Sequence, residues 1–422
     1  MHMRFSSASL LLLGAFALPS CSDTNARPAV ATTAGPQRAE ELPSLTDAPI
    51  APAHDAMLRT AWQAVAKLPD VPHRKNRNRI QAELVDACIE LGLAARAKTW
   101  AADIAGWERG QCLAHLADWA LRNDRAFFVD ELLTSALQIA EDAMKGDDAQ
   151  EWRRDRIRAK VAAIRLRQGR TEDAARLTSG LVESELRNLA SAKAEVLEAS
   201  NFEAQLADLE RLLKSENVDH AQGALQVCVG LLARFAENEP RRERLLDLLQ
   251  NAYPKLPLQM RIDVLLQAVD AALGAKLPQV ALALCTRCDG LVAGKGWTPE
   301  DQIALRGRVA AARARAGDHA GAVKALEVTL DMFRQSRDVI VDVFRATALR
   351  PVAEAYMAAG EQERAASTYR MALSEGEVNP NGRPRVEDLS KTVLSMVRSG
   401  FVPDADLQQR VSAIANNLSA PW

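Results

Sequence analysis

Residues 348–372 read ALRPVAEAYMAAGEQERAASTYRMA, and their spacing decides the fold. Val352, Ala353 and Tyr356 share one face of a first helix, Gly360 ends it, and Ala365, Tyr369 and Ala372 recur on one face of a second. The small side chains of Ala353 and Ala365 let the two helix axes approach, while the rings of Tyr356 and Tyr369 fill the space beside them. The stretch is predicted to be a helical hairpin. The same signals recur along the chain: Ala162 and Ala174 flank Gly169, Ala310 and Ala322 flank Gly317, and Ala97 follows Gly92, at matching offsets.

This series of a small residue, an aromatic one turn later, a turn glycine, and then Ala, aromatic, Ala resembles the tetratricopeptide (TPR) repeat, with Leu349 in place of the usual Trp and Glu377 in place of the usual Pro. Turns near Gly92, Asn123, Gly169, Ser200, Asn238, Lys276, Gly317, Gly360 and Gly400 are separated by 31 to 46 residues, where a strict TPR array repeats every ~34. The expected architecture is therefore all-α, an irregular solenoid of TPR-like hairpins over 55–420. The resemblance implies a right-handed superhelix whose concave groove receives a protein or peptide. Thr298-Pro299-Glu300-Asp301 marks a helix start by its cap, its proline and its acidic third position. The last helix, Ala405 to Leu418, carries Leu407, Val411, Ile414 and Leu418 and is expected to cap the array with a polar outer face.

Residues 1–20 are set aside as a signal peptide. Arg4 gives a basic start, Leu10 to Leu18 an apolar run too short to span a bilayer, and Leu18-Pro19-Ser20-Cys21 closes it. That ending resembles the lipobox of bacterial lipoproteins, which implies a lipidated Cys21 as the membrane anchor and, with Ser22 following, an outer-membrane protein of the cell envelope facing the periplasm or the cell surface. Cleavage after Ala31, releasing a soluble periplasmic or secreted chain, is the alternative. Residues 21–54 are rich in Ala, Pro and Thr without helical periodicity and are expected to be a tether.

With 53 Lys and Arg against 55 Asp and Glu among 422 residues, no global basic field points to nucleic acid. Hydrophobic residues make up 48% of the chain, enough for a long core, and low aromatic content favours helices over sheets. No phosphate loop, Gly-x-Ser-x-Gly elbow or His-Glu-x-x-His motif is present, and the six histidines are scattered, so neither enzyme activity nor a metal or other cofactor is expected. His115, among Leu113, Leu116 and Trp119, reads as a satisfied, partly buried histidine. Cys285 and Cys288 form a Cys-x-x-Cys inside a predicted helix, without a second pair for zinc or the βαβ setting of a redox motif, and read as core residues.

Two basic clusters stand out: Arg74, Lys75, Arg77 and Arg79, and a helix carrying Arg153, Arg154, Arg156, Arg158, Lys160, Arg165, Arg167 and Arg170. They read as solvated faces or as anion-binding surfaces. Among Trp107, Trp152, Trp297 and Trp422, which fall near helix ends, an exposed one can anchor a partner. Arg154, Arg158, Arg165 and Trp297 are taken as the candidate partner-binding residues. The expected function is a membrane-tethered protein–protein interaction scaffold or assembly adaptor, and a carrier of a peptide, glycan or small molecule is the alternative.

Overall fold

The structure, a computed structural model, describes residues 44–145, 149–181, 185, 189–214 and 217–422. The expected signal peptide, most of the expected tether and Cys21 lie outside these residues. The described chain is all-α. Its helices are α1 (Pro52–Ala66), α2 (Asp70–Glu90), α3 (Ala94–Ala102), α4 (Glu108–Arg122), α5 (Val129–Asp142), α6 (Glu151–Arg167) and α7 (Thr171–Thr178). They continue as α8 (Ala190–Glu195), α9 (Phe202–Leu213), α10 (Val218–Phe235), α11 (Glu239–Ala252), α12 (Leu258–Gly274) and α13 (Pro278–Val292). The series ends with α14 (Pro299–Arg315), α15 (His319–Ser336), α16 (Asp342–Ala358), α17 (Gln362–Glu377), α18 (Gly382–Arg398) and α19 (Ala405–Asn416).

One local device makes the hairpins. At Gly92 the backbone turns left-handed with φ +73°; Leu93 N–H then donates to Cys88 O at 2.7 Å and Gly92 N–H to Ile89 O at 3.0 Å. This pair of bonds is a Schellman cap, which satisfies carbonyls that the helix end leaves open. The same pair of bonds closes α6 at Gly169, α12 at Lys276, α14 at Gly317, α16 at Gly360 and α18 at Gly400. Lys276 does this with φ +59°, where a side chain is strained. Helix starts are capped as well: Asp301 N–H donates to Thr298 Oγ1, Gly321 N–H to Asp318 Oδ1 and Leu407 N–H to Asp404 Oδ1.

The even-numbered helices α2 to α18 form a row in which each packs on the next, and the odd-numbered helices fill in beside them. Gly307 marks a close approach, since a Cβ there would lie 2.7 Å from the carbonyl carbon of Pro351, so α14 and α16 meet backbone to backbone. In the hairpin of α16 and α17, Tyr356 and Tyr369 are fully buried, and Tyr369 Oη lies 3.0 Å from both Ser395 Oγ and Ser399 Oγ of the next repeat. Polar pairs also link neighbours in the row: Arg167 with Asp118 at 2.9 Å and Glu195 at 2.7 Å, Arg308 with Asp263 at 2.9 Å, and Arg315 with Asp270 at 2.9 Å. Arg350 with Asp388, each 8% exposed, is the most enclosed of those named here, so losing one partner would strand a buried charge.

The two ends of the array pack on each other. α1 lies against α18 and α19, α18 also touches α2, and one apolar cluster holds Leu58 and Val65 together with Leu389, Leu407 and Val411. His54 Nε2–H donates to Phe401 O at 2.8 Å, and Lys67 Nζ donates to the last carbonyls of α19, Ala415 O at 2.7 Å and Asn416 O at 3.2 Å. Arg398 pairs with Glu90 at 2.7 Å, and Arg79 with Glu387. The expectation of a terminal cap is therefore corrected: the apolar face of α19 covers the first helix, and both ends are used up in one seam.

The boundary expected at 54/55 also moves. Ala48 N–H donates to Gly92 O at 3.0 Å, Arg96 N–H donates to Asp47 Oδ1 at 3.0 Å, and Leu45 and Ile50 pack on the core, so residues 44–54 belong to the folded body. Among the described residues nothing lies within 4 Å of a Cβ built at Gly360, so Gly360→Ala meets only the conformational penalty of a left-handed residue. Chemical denaturation is expected to show Gly360→Ala less stable by about 1 kcal/mol and Lys276→Gly more stable by a similar amount.

Candidate functional site

Arg74, Lys75 and Arg79 converge with Arg153 and Arg156, far apart from them in sequence. They line an open cleft of about 1090 Å³ built by the start of α2, the segment 104–107 before α4, the end of α5 and the start of α6. Seven basic and four acidic described side chains line it. Trp107 and Trp152 meet edge to face at 5.0 Å, and the Arg156 guanidinium lies over both rings, 5.0 Å from the Trp152 centroid and 5.9 Å from that of Trp107. Arg153 stacks on Trp152 at 5.5 Å. Arg156 also reaches Glu185 at 3.1 Å.

Buried polar atoms on the cleft wall lack partners among the described residues. Asn78, 4% exposed, leaves its Oδ1 without a donor; Glu108 Oε2 and Arg109 Nε are likewise enclosed and unmatched. Gly106 keeps this corner open, because a Cβ there would meet Glu108 Oε2 and, at 2.5 Å, Asn78 Nδ2. Burial pushes the Glu108 carboxyl above the ordinary glutamate range, against the pull of its own backbone amide, Arg153, Asn78 and Lys75.

Asp86, on the cleft wall, accepts from His115 Nδ1 at 2.6 Å, and Lys160 Nζ contacts His115 Nε2. With the Nδ1 proton given to Asp86, Nε2 accepts from Lys160, so both imidazole nitrogens are engaged. Burial lowers the Lys160 pKa. His115 is thus the satisfied histidine that its apolar surroundings suggest.

The four residues selected from sequence do not gather in this cleft. Arg154 pairs with Asp155 at 2.8 Å, Arg158 is half-buried on the same helix, and Arg165, 9% exposed, is held by Asp130 and by Gln168 at 2.7 Å. Trp297 is half-buried against the α13–α14 junction, where its Nε1–H donates to Leu291 O at 3.1 Å. The cleft is made instead by their neighbours Arg153 and Arg156, by Trp107 and Trp152, and by Asn78 and Arg109. Trp107 and Trp152 carried a signal, as tryptophans near helix ends; Asn78 and Arg109 carried none.

Cys285 and Cys288 are buried on α13 as free thiols, pushed up to about 11 and about 12 by burial, so neither has thiolate character. Among the described residues no three His, Cys, Asp or Glu side chains form a group able to hold a metal ion, and no helix is long and apolar enough to cross a membrane.

No protein-family model matches the chain, and no curated protein matches it. One solved structure found similar is described as a circular tandem repeat protein with novel repeat topology and enhanced subunit contact surfaces. It is 15% identical over 86% of this chain and 88% of that one, with a TM-score of 0.16, and at that score it carries no argument. The chain is a helical-repeat protein on the strength of its own hairpins.

The Glu108 pKa gives a test of the cleft corner. Its folded value lies above the unfolded one, so the cost of the charged carboxylate is fully present above the folded pKa and vanishes as pH falls through it toward the unfolded pKa. Thermal unfolding is expected to show Glu108→Gln more stable than the parent at pH 7, with the gain shrinking toward pH 4.5.

Proposed function

We propose that this protein is an interaction scaffold of the bacterial cell envelope, an adaptor or assembly factor held at a membrane through lipidated Cys21, with an envelope protein or peptide docked in the cleft between α2, α4 and α6. The observation that carries this reading is the cleft itself. It is open to solvent, it places Trp152 at 37% exposure among guanidinium groups, and it leaves buried donors and acceptors unmatched. Tryptophan and arginine in a partly desolvated pocket are the residue types that anchor protein partners. The openness favours docking over enclosure of a small molecule, for which a mostly apolar, closed cavity serves better. The titratable groups near the cleft are tied to one another, as in the Asp86, His115 and Lys160 line, which supports binding in preference to acid–base chemistry.

Cross-linking in intact cells of the native host, followed by mass identification, tests this reading with the parent chain, Cys21→Ala and Trp152→Ala. A defined envelope protein retained by the parent and lost with Trp152→Ala is expected, with retention reduced in Cys21→Ala. The same proteins captured by all three would remove the cleft from the function.

A further inference from the structure

We infer that two copies of this chain pair about a two-fold axis through an exposed apolar patch of Val339, Val341, Val343, Phe344 and Val378, where the connection between α15 and α16 meets the end of α17. The patch shares no residue with the cleft, so pairing leaves the cleft free and a pair of copies presents two of them.

One carboxylate builds the corner. Arg337, after α15, donates to Glu375 through Nε at 2.6 Å and Nη2 at 3.0 Å, and Arg345, in the first turn of α16, lies 3.7 Å from the same carboxylate. Arg345 Nε–H also donates to Ile340 O at 2.9 Å, and the Ile340 side chain is buried. Its neighbours lie open on either side: Val339 is 75% exposed, and Val341, Val343 and Phe344 are exposed as well. Val378, about one helical turn past Glu375 and so on the same face of α17, adds a fifth exposed side chain. Of the twelve large apolar side chains exposed among the described residues, these five gather in one corner while the other seven are spread over the rest of the array.

Area and charge both favour a second copy as the occupant. The five residues present roughly 400 Å² of surface, as much as a monomer exposes in one apolar patch. A standard interface takes about 800 Å² from each partner, of which about 60% is apolar, or roughly 500 Å². The patch supplies most of that area. A two-fold contact must also be self-complementary, with one residue facing a second and that second facing the first. Arg337 and Asp338 meet this condition. Glu375 holds Nε and Nη2 of Arg337, which leaves Nη1, 3.4 Å from the Asp338 carboxylate, and that carboxylate is 95% exposed. Across an axis through the patch, each Arg337 Nη1 reaches Asp338 of the other copy. A lipid surface is a poorer occupant, because Asp338 and Asp342 bracket Val339 to Val341 and hydrocarbon supplies no cation for carboxylates it desolvates.

Sedimentation equilibrium of the purified full chain between ~1 and ~100 µM is the test. The parent is expected to reach twice its monomer mass within that range. Val339→Glu and Phe344→Glu are each expected to weaken pairing at least tenfold with unchanged circular dichroism and melting temperature, and the exposure of Val339 makes its variant safe for folding. Val402→Glu, at an exposed valine outside the patch, is expected to leave pairing unaltered. Asp338→Arg and Arg337→Asp set like charges against each other and are expected to weaken pairing singly, whereas an equimolar mixture of the two recovers it. A parent that stays monomeric overturns the assignment. So does a dimer that Val339→Glu and Phe344→Glu leave undiminished, as when copies join through the apolar run at 10–18. A mixture of the two folded charge variants that fails to recover pairing overturns the two-fold arrangement. Binding of a monomeric parent to phosphatidylglycerol vesicles, lost in Phe344→Glu, overturns the pairing too and makes the patch a membrane contact.

Discussion

The seam between α1 and the pair α18 and α19 is the contact on which the rest of the array depends. A row of hairpins exposes one apolar face at each end, and each face costs free energy in water in proportion to its area, roughly 25 cal/mol per Å². Here Leu58, Ala61 and Val65 meet Leu407, Val411 and Ile414 within a single apolar cluster, so neither end needs a polar cap. Burying His54 at the seam is consistent with this, because its ring hydrogen bonds the carbonyl of Phe401. The seam also reaches the candidate site. Arg79 stands on the cleft wall and pairs across the seam with Glu387, so the first turns of α2 are held from both sides.

Register along the row follows from two kinds of contact. Schellman caps fix where α2, α6, α12, α14, α16 and α18 stop, and close backbone approaches such as Gly307 against Pro351 fix how near the next helix can come. The polar pairs between inner helices add little stability where they are half-exposed, about 0–1 kcal/mol each. Their value lies in disfavouring a slipped register, since a one-turn shift would set Arg308 away from Asp263 and Arg350 away from Asp388.

Much of this was legible in the sequence. Gly92, Gly169, Gly317, Gly360 and Gly400 were placed as turns and do take positive φ, and Lys276 does so without being glycine. Thr298 was read as a helix cap, and its hydroxyl accepts from Asp301 N–H. Closure was not legible, because the apolar stripe of a helix shows that it must be covered and not by what. The cleft was half legible. Two basic clusters and the tryptophans at helix ends were visible, but their convergence depends on the path of α2 through α6. The choice of Arg154 and Arg165 over Arg153 and Arg156 turned on helix rotation, which a helix crowded with arginines does not reveal.

Closure is tested most directly by joining the two ends chemically. Lys67, the residue that follows α1, and Asn416, the last residue of α19, are in contact, and the five described native cysteines are buried. In a Lys67→Cys, Asn416→Cys variant, a short bis-maleimide is expected to form a rapid intramolecular link at high dilution, seen as a shifted band on denaturing electrophoresis and a linked peptide in mass spectrometry. An open array would keep the two thiols apart, and single-site modification or intermolecular links alone would contradict the closed arrangement.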